Sequence, residues 1–136
     1  MSTRCNIHFN YSDEIIANIY RHSDGYPDGV LPDLQTFFKE VKEHCGSDTR
    51  FNDPSYLAAK YVVWEANENA ILEAKYSRSK TEPKRLAFLG VGVTLHDAPD
   101  GEYVYKVNCD EHDANGFPVV TYEPDDELNR DEEDNE

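Results

Sequence analysis

The sequence has no long hydrophobic run, few cysteines and few positive charges. No stretch approaches the roughly 18 consecutive apolar residues of a membrane-spanning helix, and the first residues lack the apolar core of a signal peptide. Three widely spaced cysteines are an odd number, which is typical of free thiols in a reducing compartment. We therefore expect a cytoplasmic protein without a membrane segment and without a disulfide framework.

Positive charge is scarce relative to negative charge. Thirteen Lys and Arg residues face 28 Asp and Glu residues, which gives a net charge of −15. An excess of this sign repels phosphate, so direct binding to nucleic acid or to an anionic membrane is excluded as the main function. The apolar content of 38%, with nine Tyr and six Phe in 136 residues, is sufficient for one hydrophobic core.

The negative charge is unevenly distributed. Residues 123–136 contain nine acids and one base, and their only large apolar residue is Leu128. Such a segment cannot offset its conformational entropy by burial. The sequence therefore predicts a single domain over residues 1–122, followed by a disordered acidic tail over residues 123–136.

The first 45 residues contain two strand patterns and one helix pattern. Cys5, Ile7 and Phe9 alternate with Asn6 and His8, which is typical of a strand with one buried face. Residues 15–22 follow as a second strand and complete a hairpin. Apolar residues at helical spacing then predict a helix that ends near residue 45, although its start is open between an Asp28 cap and a first-turn Pro32.

The remaining pattern predicts one helix and three strands. Asp53-Pro54 has the form of an N-cap and first-turn proline, whereas residues 70–76 fit either a helix or a strand. Strands are predicted at 85–96, 102–109 and 117–122, the last confined to a sheet edge by Pro118. The order ββααβββ predicts an α+β fold with an antiparallel sheet of about five strands and two helices on one face.

The densest group of chemically active side chains lies between Arg21 and Gly29. A guanidinium, an imidazole, two carboxylates and a phenol follow one another where the second strand meets its loop. Loops that leave a rigid scaffold often carry binding sites. Asp24-Gly25 is also an ordinary turn, and Arg21 paired with Asp24 would simply lock it. Both interpretations stay open from the sequence.

The same segment carries a resemblance to a known family. Thr3-Arg4-Cys5 opens the first strand, and IYRHSDGYPDG covers the end of the second strand and the loop after it. These features resemble a family of small phage, plasmid and prokaryotic proteins with an N-terminal T-R strand and a Y-R-x-x-D-G-Y-P-x-G loop. The resemblance covers roughly residues 3–38, with a looser match at residues 102–105. It implies a compact domain from a mobile element and assigns no reaction.

Metal binding and catalysis have weaker support in the sequence. Cys5 and His8 point to opposite faces of a strand, whereas Cys109 and His112 straddle a strand end and could share an ion. A catalytic option would use His22 with Asp24 as acid and base, on a spacing that is common in loops. We predict no metal, no cofactor and no catalytic residue, and we regard an enzyme as the less favoured class.

Charge therefore provides the main functional hypothesis. A non-enzymatic acidic protein could mimic nucleic-acid phosphates and block a basic partner, such as a nucleic-acid-processing or defence protein. The alternative is a small-ligand pocket, nucleotide-like in chemistry, in which Arg4 and Arg21 meet an anion and Tyr20 or Tyr26 stacks on a base. Self-association through the edge strand is left open. The candidate binding residues are Arg4, Tyr20, Arg21, His22, Asp24, Tyr26, Asp28, Asp100, Glu102, Asp110, Glu111 and Asp113.

Overall fold

The structure is a computed structural model that describes residues 3–76 and 89–124. Along the chain the elements are β1 (Cys5–Tyr11), β2 (Glu14–Arg21), α1 (Pro27–Cys45), α2 (Pro54–Tyr76), β3 (Val91–Thr94), β4 (Tyr103–His112) and β5 (Pro118–Pro124). This α+β architecture with two helices and five strands confirms the predicted class. Within the described residues, no helix has both the length and the apolarity needed to cross a membrane.

The five strands form one mixed sheet in the order β3-β2-β1-β4-β5. Three neighbouring pairs are antiparallel, but β1 and β4 run parallel, with Cys5 opposite Tyr103 and Asn10 opposite Asn108. The prediction of an antiparallel sheet is therefore wrong at this pair, and the strand order does not follow the chain. Parallel neighbours need a crossover connection, and residues 95–102 provide it by returning the chain to the end at which β1 begins.

One face of the sheet forms the hydrophobic core with both helices. Cys5, Ile7 and Phe9 on β1 are fully buried, as the alternation predicts. They pack in one cluster with side chains from α1, α2, β4 and the loops, and Phe37 on α1 contacts Tyr61 on α2 edge to face. The other buried members include Val30, Leu34, Phe38, Val41, Phe51, Leu57, Tyr105, Val107 and Phe117.

The opposite face of β1 is also buried, which the alternation did not predict. Asn6, His8 and Asn10 are each at most 5% exposed. The crossover connection covers this face: Asn6 Oδ1 accepts a hydrogen bond from the Gly101 backbone N–H at 2.7 Å, and His8 Nε2 lies 3.0 Å from Asp100 Oδ1. A polar segment packs on this face and supplies hydrogen bonds to Asn6 and His8, whereas the buried Asn10 Oδ1 has no hydrogen-bond partner among the described residues.

Several element boundaries differ from the predicted ones or resolve open alternatives. Helix α1 begins at Pro27 with Tyr26 as its N-cap, so Pro32 lies inside the helix. Helix α2 includes residues 70–76, and Asp53 caps it by accepting the Tyr56 N–H. Strand β5 includes the first two residues of the predicted tail, while the rest of that tail and the start of the predicted strand 85–96 lie outside the described residues.

Candidate functional site

The site is built around Arg21, the last residue of β2, which is only 7% exposed. Its Nη1 donates hydrogen bonds to Glu65 Oε2 at 3.1 Å and to the Tyr61 hydroxyl at 3.2 Å, and Nη1 also lies 2.9 Å from Asp33 Oδ2. Its Nε donates to the Ser23 carbonyl. The guanidinium is therefore held by two carboxylates, one from each helix.

Tyr61 and Glu65 are one turn apart on α2 and form the buried wall of this site. The Tyr61 hydroxyl donates a hydrogen bond of 2.5 Å to the same Glu65 oxygen that Arg21 contacts. Burial raises the pKa of Glu65, and the hydrogen bond from Tyr61 and the charge of Arg21 only partly offset this effect. Burial also raises the pKa of Tyr61, so Tyr61 remains a proton donor.

The loop after β2 is held tightly against the start of β1. The Gly25 N–H donates to the Thr3 carbonyl at 2.9 Å, and the buried Tyr105 hydroxyl donates to the Gly25 carbonyl at 2.7 Å. A Cβ at Gly25 would lie 2.8 Å from that Thr3 oxygen, so only glycine permits this approach. Asp24, at φ 55°, accepts a hydrogen bond from the Tyr26 hydroxyl. The turn is therefore fixed by contacts to its backbone, including the one from Arg21 Nε to the Ser23 carbonyl, and not by an ion pair between Arg21 and Asp24.

A cavity of about 190 Å³ opens beside Arg21, between the loop after β2 and the two helices. Four carboxylates and one guanidinium line it, which leaves three net negative charges, or two if Glu65 is protonated. We call this feature the acidic cavity. Its lining consists of Arg21, Ser23, Asp24, Asp33, Trp64, Glu65, Glu68, Asn69, Leu72 and Gly90.

Glu68 shows that the carboxylates influence one another. Its pKa is raised by partial burial and by the negative charges of Glu40 and Asp33. Like charges at short range disfavour ionisation because they repel one another. A cation placed among these carboxylates would offset this repulsion and would be attracted by each of them.

The other predicted residues near the loop have separate environments. Arg4 is exposed, and its backbone N–H, rather than its guanidinium, contacts Glu102 Oε1. The Tyr20 hydroxyl lies 3.0 Å from His22 Nδ1, so these two side chains form a hydrogen bond with each other. Asp28 is exposed in the first turn of α1. The structure thus places Arg21 and Asp24 at the cavity and leaves these neighbours outside its lining.

The predicted carboxylates fall at two ends of the sheet. Asp24, Asp28, Asp100 and Glu102 lie at the end where β1 and β4 begin and β2 ends, which we call the proximal end. The remaining predicted carboxylates lie at the other end of the sheet, the distal end: Asp110 and Glu111 are in the last residues of β4, and Asp113 follows it. The seven residues of β1 separate the two ends by roughly 20 Å, so these carboxylates do not form one continuous surface.

The residue pairs considered above for metal binding or catalysis do not come together in the structure. Cys109 is fully buried, and burial raises the pKa of its thiol to about 12, while His112 Nε2 lies 3.4 Å from the Phe51 carbonyl. His22 contacts Tyr20 rather than Asp24. Over residues 3–76 and 89–124, no three His, Cys, Asp or Glu side chains are grouped as metal ligands would be.

Sequence reasoning missed the helical half of the site, namely Asp33, Trp64, Glu65 and Glu68. A signal for Glu65 exists, because Leu57, Tyr61 and Glu65 follow one another at four-residue spacing and share a helix face. A carboxylate that continues an apolar stripe needs a buried cation. Nothing in the sequence, however, identifies Arg21 as that cation across 44 residues.

Comparison with known protein families, with curated proteins and with solved structures returned no match to this chain.

Proposed function

We propose that the protein is a non-enzymatic acidic interaction protein that binds a basic protein partner through its acidic cavity. The observation that carries this proposal is the charge balance of the cavity, in which the lining guanidinium is already paired and at least two negative charges remain. In this proposal the carboxylates occupy the place of nucleic-acid phosphates in a basic groove of the partner.

The pairing of Arg21 favours a cationic ligand over an anionic one. An anion at Arg21 Nη1 would have to displace Asp33 and Glu65, and an anion at any part of the guanidinium would lie beside the uncompensated carboxylates of the cavity. Separating a buried carboxylate from its guanidinium costs several kcal/mol, about 3–5 when one partner is left unpaired. A lysine or arginine side chain meets no such cost, since it adds attraction to carboxylates that are only partly neutralised.

The test uses nonaarginine as a basic probe and two matched double variants. Asp24→Asn with Glu68→Gln removes two carboxylates of the acidic cavity that form no ion pair with Arg21, whereas Asp110→Asn with Glu111→Gln removes two at the distal end. Both change the net charge by the same amount. Asparagine also suits the positive φ of residue 24.

We expect the cavity variant to weaken nonaarginine binding by about fivefold to tenfold, since each exposed charge pair is worth about 0.2–1 kcal/mol. The distal variant should change the dissociation constant by less than twofold. Raising NaCl from 50 to 500 mM shortens the screening length from roughly 14 to about 4 Å and should abolish most of the affinity. Fluorescence anisotropy measures all three quantities.

Equal effects of the two double variants would contradict the proposal, because they would show that binding follows overall charge. Binding that ignores salt would contradict it as well. Thermal shift with ATP tests the alternative: a midpoint raised by ATP and unaffected by nonaarginine would favour the nucleotide-like pocket at the Arg21–Gly29 loop.

A further inference from the structure

A second concave surface lies between the helices on their outer side. This groove has a volume of about 470 Å³ and runs along α2 from Tyr56 to Asn67. Its walls are mostly apolar, and Val63 and Tyr56 are 60% and 57% exposed. We call it the helix groove. Its lining consists of Phe37, Glu40, Val41, His44, Cys45, Tyr56, Ala59, Lys60, Val63, Trp64 and Asn67.

The helix groove and the acidic cavity adjoin at Trp64, which lines both. The Trp64 indole N–H donates to Glu40 Oε1 at 3.1 Å, and its ring packs against Phe37 with centroids 5.9 Å apart. The ring is therefore fixed by contacts with α1. Trp64 forms a rigid apolar surface where the two concavities meet.

Charge changes sign along this surface. At the cavity end, Asp33 and Glu40 on α1 face Glu68 on α2. Their negative charges, together with partial burial, raise the pKa of Glu68. At the other end, the Lys60 ammonium lies 3.6 Å from the Cys45 thiol. The surface is thus acidic at one end, apolar over its middle and weakly basic at the other end.

We propose that the basic partner presents an amphipathic helix that lies in the helix groove. This inference rests on the proposed function and adds the form of the partner. The apolar side chains of that helix cover Val63 and Tyr56, and its lysines or arginines lie at the end where Asp33 and Glu68 meet the acidic cavity.

The dimensions and chemistry of the surface fit this occupant. The twelve residues from Tyr56 to Asn67 correspond to roughly 18 Å of helix, or about three turns. Helix-in-groove recognition uses apolar anchors at three- and four-residue spacing, and specificity comes from charges beside them. The acidic end selects cations, while Lys60 disfavours them at the opposite end.

The probe is an 18-residue peptide of leucine and lysine that forms an amphipathic helix with its lysines concentrated in one half. The control peptide has the same composition in an order that gives no apolar face. Two protein variants are matched: Val63→Asp lies in the groove, whereas Ile71→Asp lies on the same helix outside both concavities. The two side chains are 60% and 59% exposed, so both variants should fold, which circular dichroism checks.

We expect the amphipathic peptide to bind at least tenfold more tightly than the control peptide. Val63→Asp should weaken it at least tenfold, and Ile71→Asp should change it less than twofold, although both add the same charge. Equal effects of the two variants, equal affinity of the two peptides, or no binding of the amphipathic peptide would each overturn the helix-groove inference. If nonaarginine binding still depends on Asp24 and Glu68 in that case, the proposed function survives and only this inference fails.

Discussion

Replacing Arg21 by methionine tests whether the buried network is as strongly coupled as the structure indicates. Methionine retains an unbranched apolar stem of similar length to that of arginine and removes the guanidinium with its charge. Glu65, which is 8% exposed, then keeps the hydrogen bond from Tyr61 but loses its buried cation. The folded protein must either hold an unpaired carboxylate in its interior or bind a proton there.

The loss in the free energy of unfolding is set by whichever of these two outcomes requires less free energy. Holding Glu65 protonated at pH 7 costs about 3.4 kcal/mol, because each of the 2.5 pH units above its reference value of 4.5 costs about 1.36 kcal/mol. We therefore expect Arg21→Met to lower the free energy of unfolding by about 3–4 kcal/mol at pH 7. A domain of this size would lose roughly 10–20 °C in Tm.

The pH dependence has a definite sign. The folded variant binds the Glu65 proton more tightly than the unfolded chain does, so its stability falls as pH rises from the unfolded pKa through the raised folded pKa. The deficit relative to the unmutated protein should therefore shrink to about 1 kcal/mol near pH 4.5, where the remaining loss is hydrogen bonding. Urea unfolding at pH 4.5, 5.5 and 7 measures this trend.

A second-site change separates the buried charge from other effects of Arg21. Adding Glu65→Gln to Arg21→Met removes the unpaired carboxylate and should recover about 2 kcal/mol at pH 7. A deficit that is independent of pH and is not relieved by the glutamine would refute the coupling between Arg21 and Glu65.

Two further predictions concern the loop and the thiols. Gly25→Ala should lower the free energy of unfolding by about 2–3 kcal/mol, because its Cβ would lie within 3 Å of the backbone of Thr3 and Arg4, just before β1. Gly92→Ala, with no atom within 4 Å of the added Cβ, should be neutral or stabilising in urea unfolding. Burial raises the thiol pKa of Cys5 and of Cys109 to about 12. A thiol reagent at pH 8 should therefore label the partly exposed Cys45 alone in the folded protein and all three cysteines in urea; rapid native labelling of three would contradict the buried core.

Local patterns predicted the elements of this fold well. The alternation of Cys5, Ile7 and Phe9 correctly identified the core face of β1, and Pro118 correctly indicated an edge strand. The apolar spacing in α1 correctly placed its C-terminal end at Cys45. These features depend on the side chains of a few neighbouring residues, so a single sequence contains the necessary information.

Contacts between residues that are far apart in the sequence could not be predicted from these local patterns. The parallel pairing of β1 with β4 depends on the path of residues 95–102, and their placement over Asn6 and His8 is what buries the polar face of β1. The sequence identified only part of the candidate site. Arg21 and Asp24 were predicted, but the side chains of α1 and α2 that line the rest of the cavity were not. No pattern in the loop indicates that the guanidinium is neutralised by a carboxylate 44 positions away.

The central claim is that cationic groups bind at the acidic cavity rather than over the whole negative surface. A ¹⁵N–¹H correlation spectrum titrated with nonaarginine at 50 mM NaCl tests it directly. We expect the largest amide shift changes at Ser23, Asp24, Glu68, Asn69 and Gly90, with small changes at residues 110–113. Changes of equal size at both ends of the sheet would contradict it.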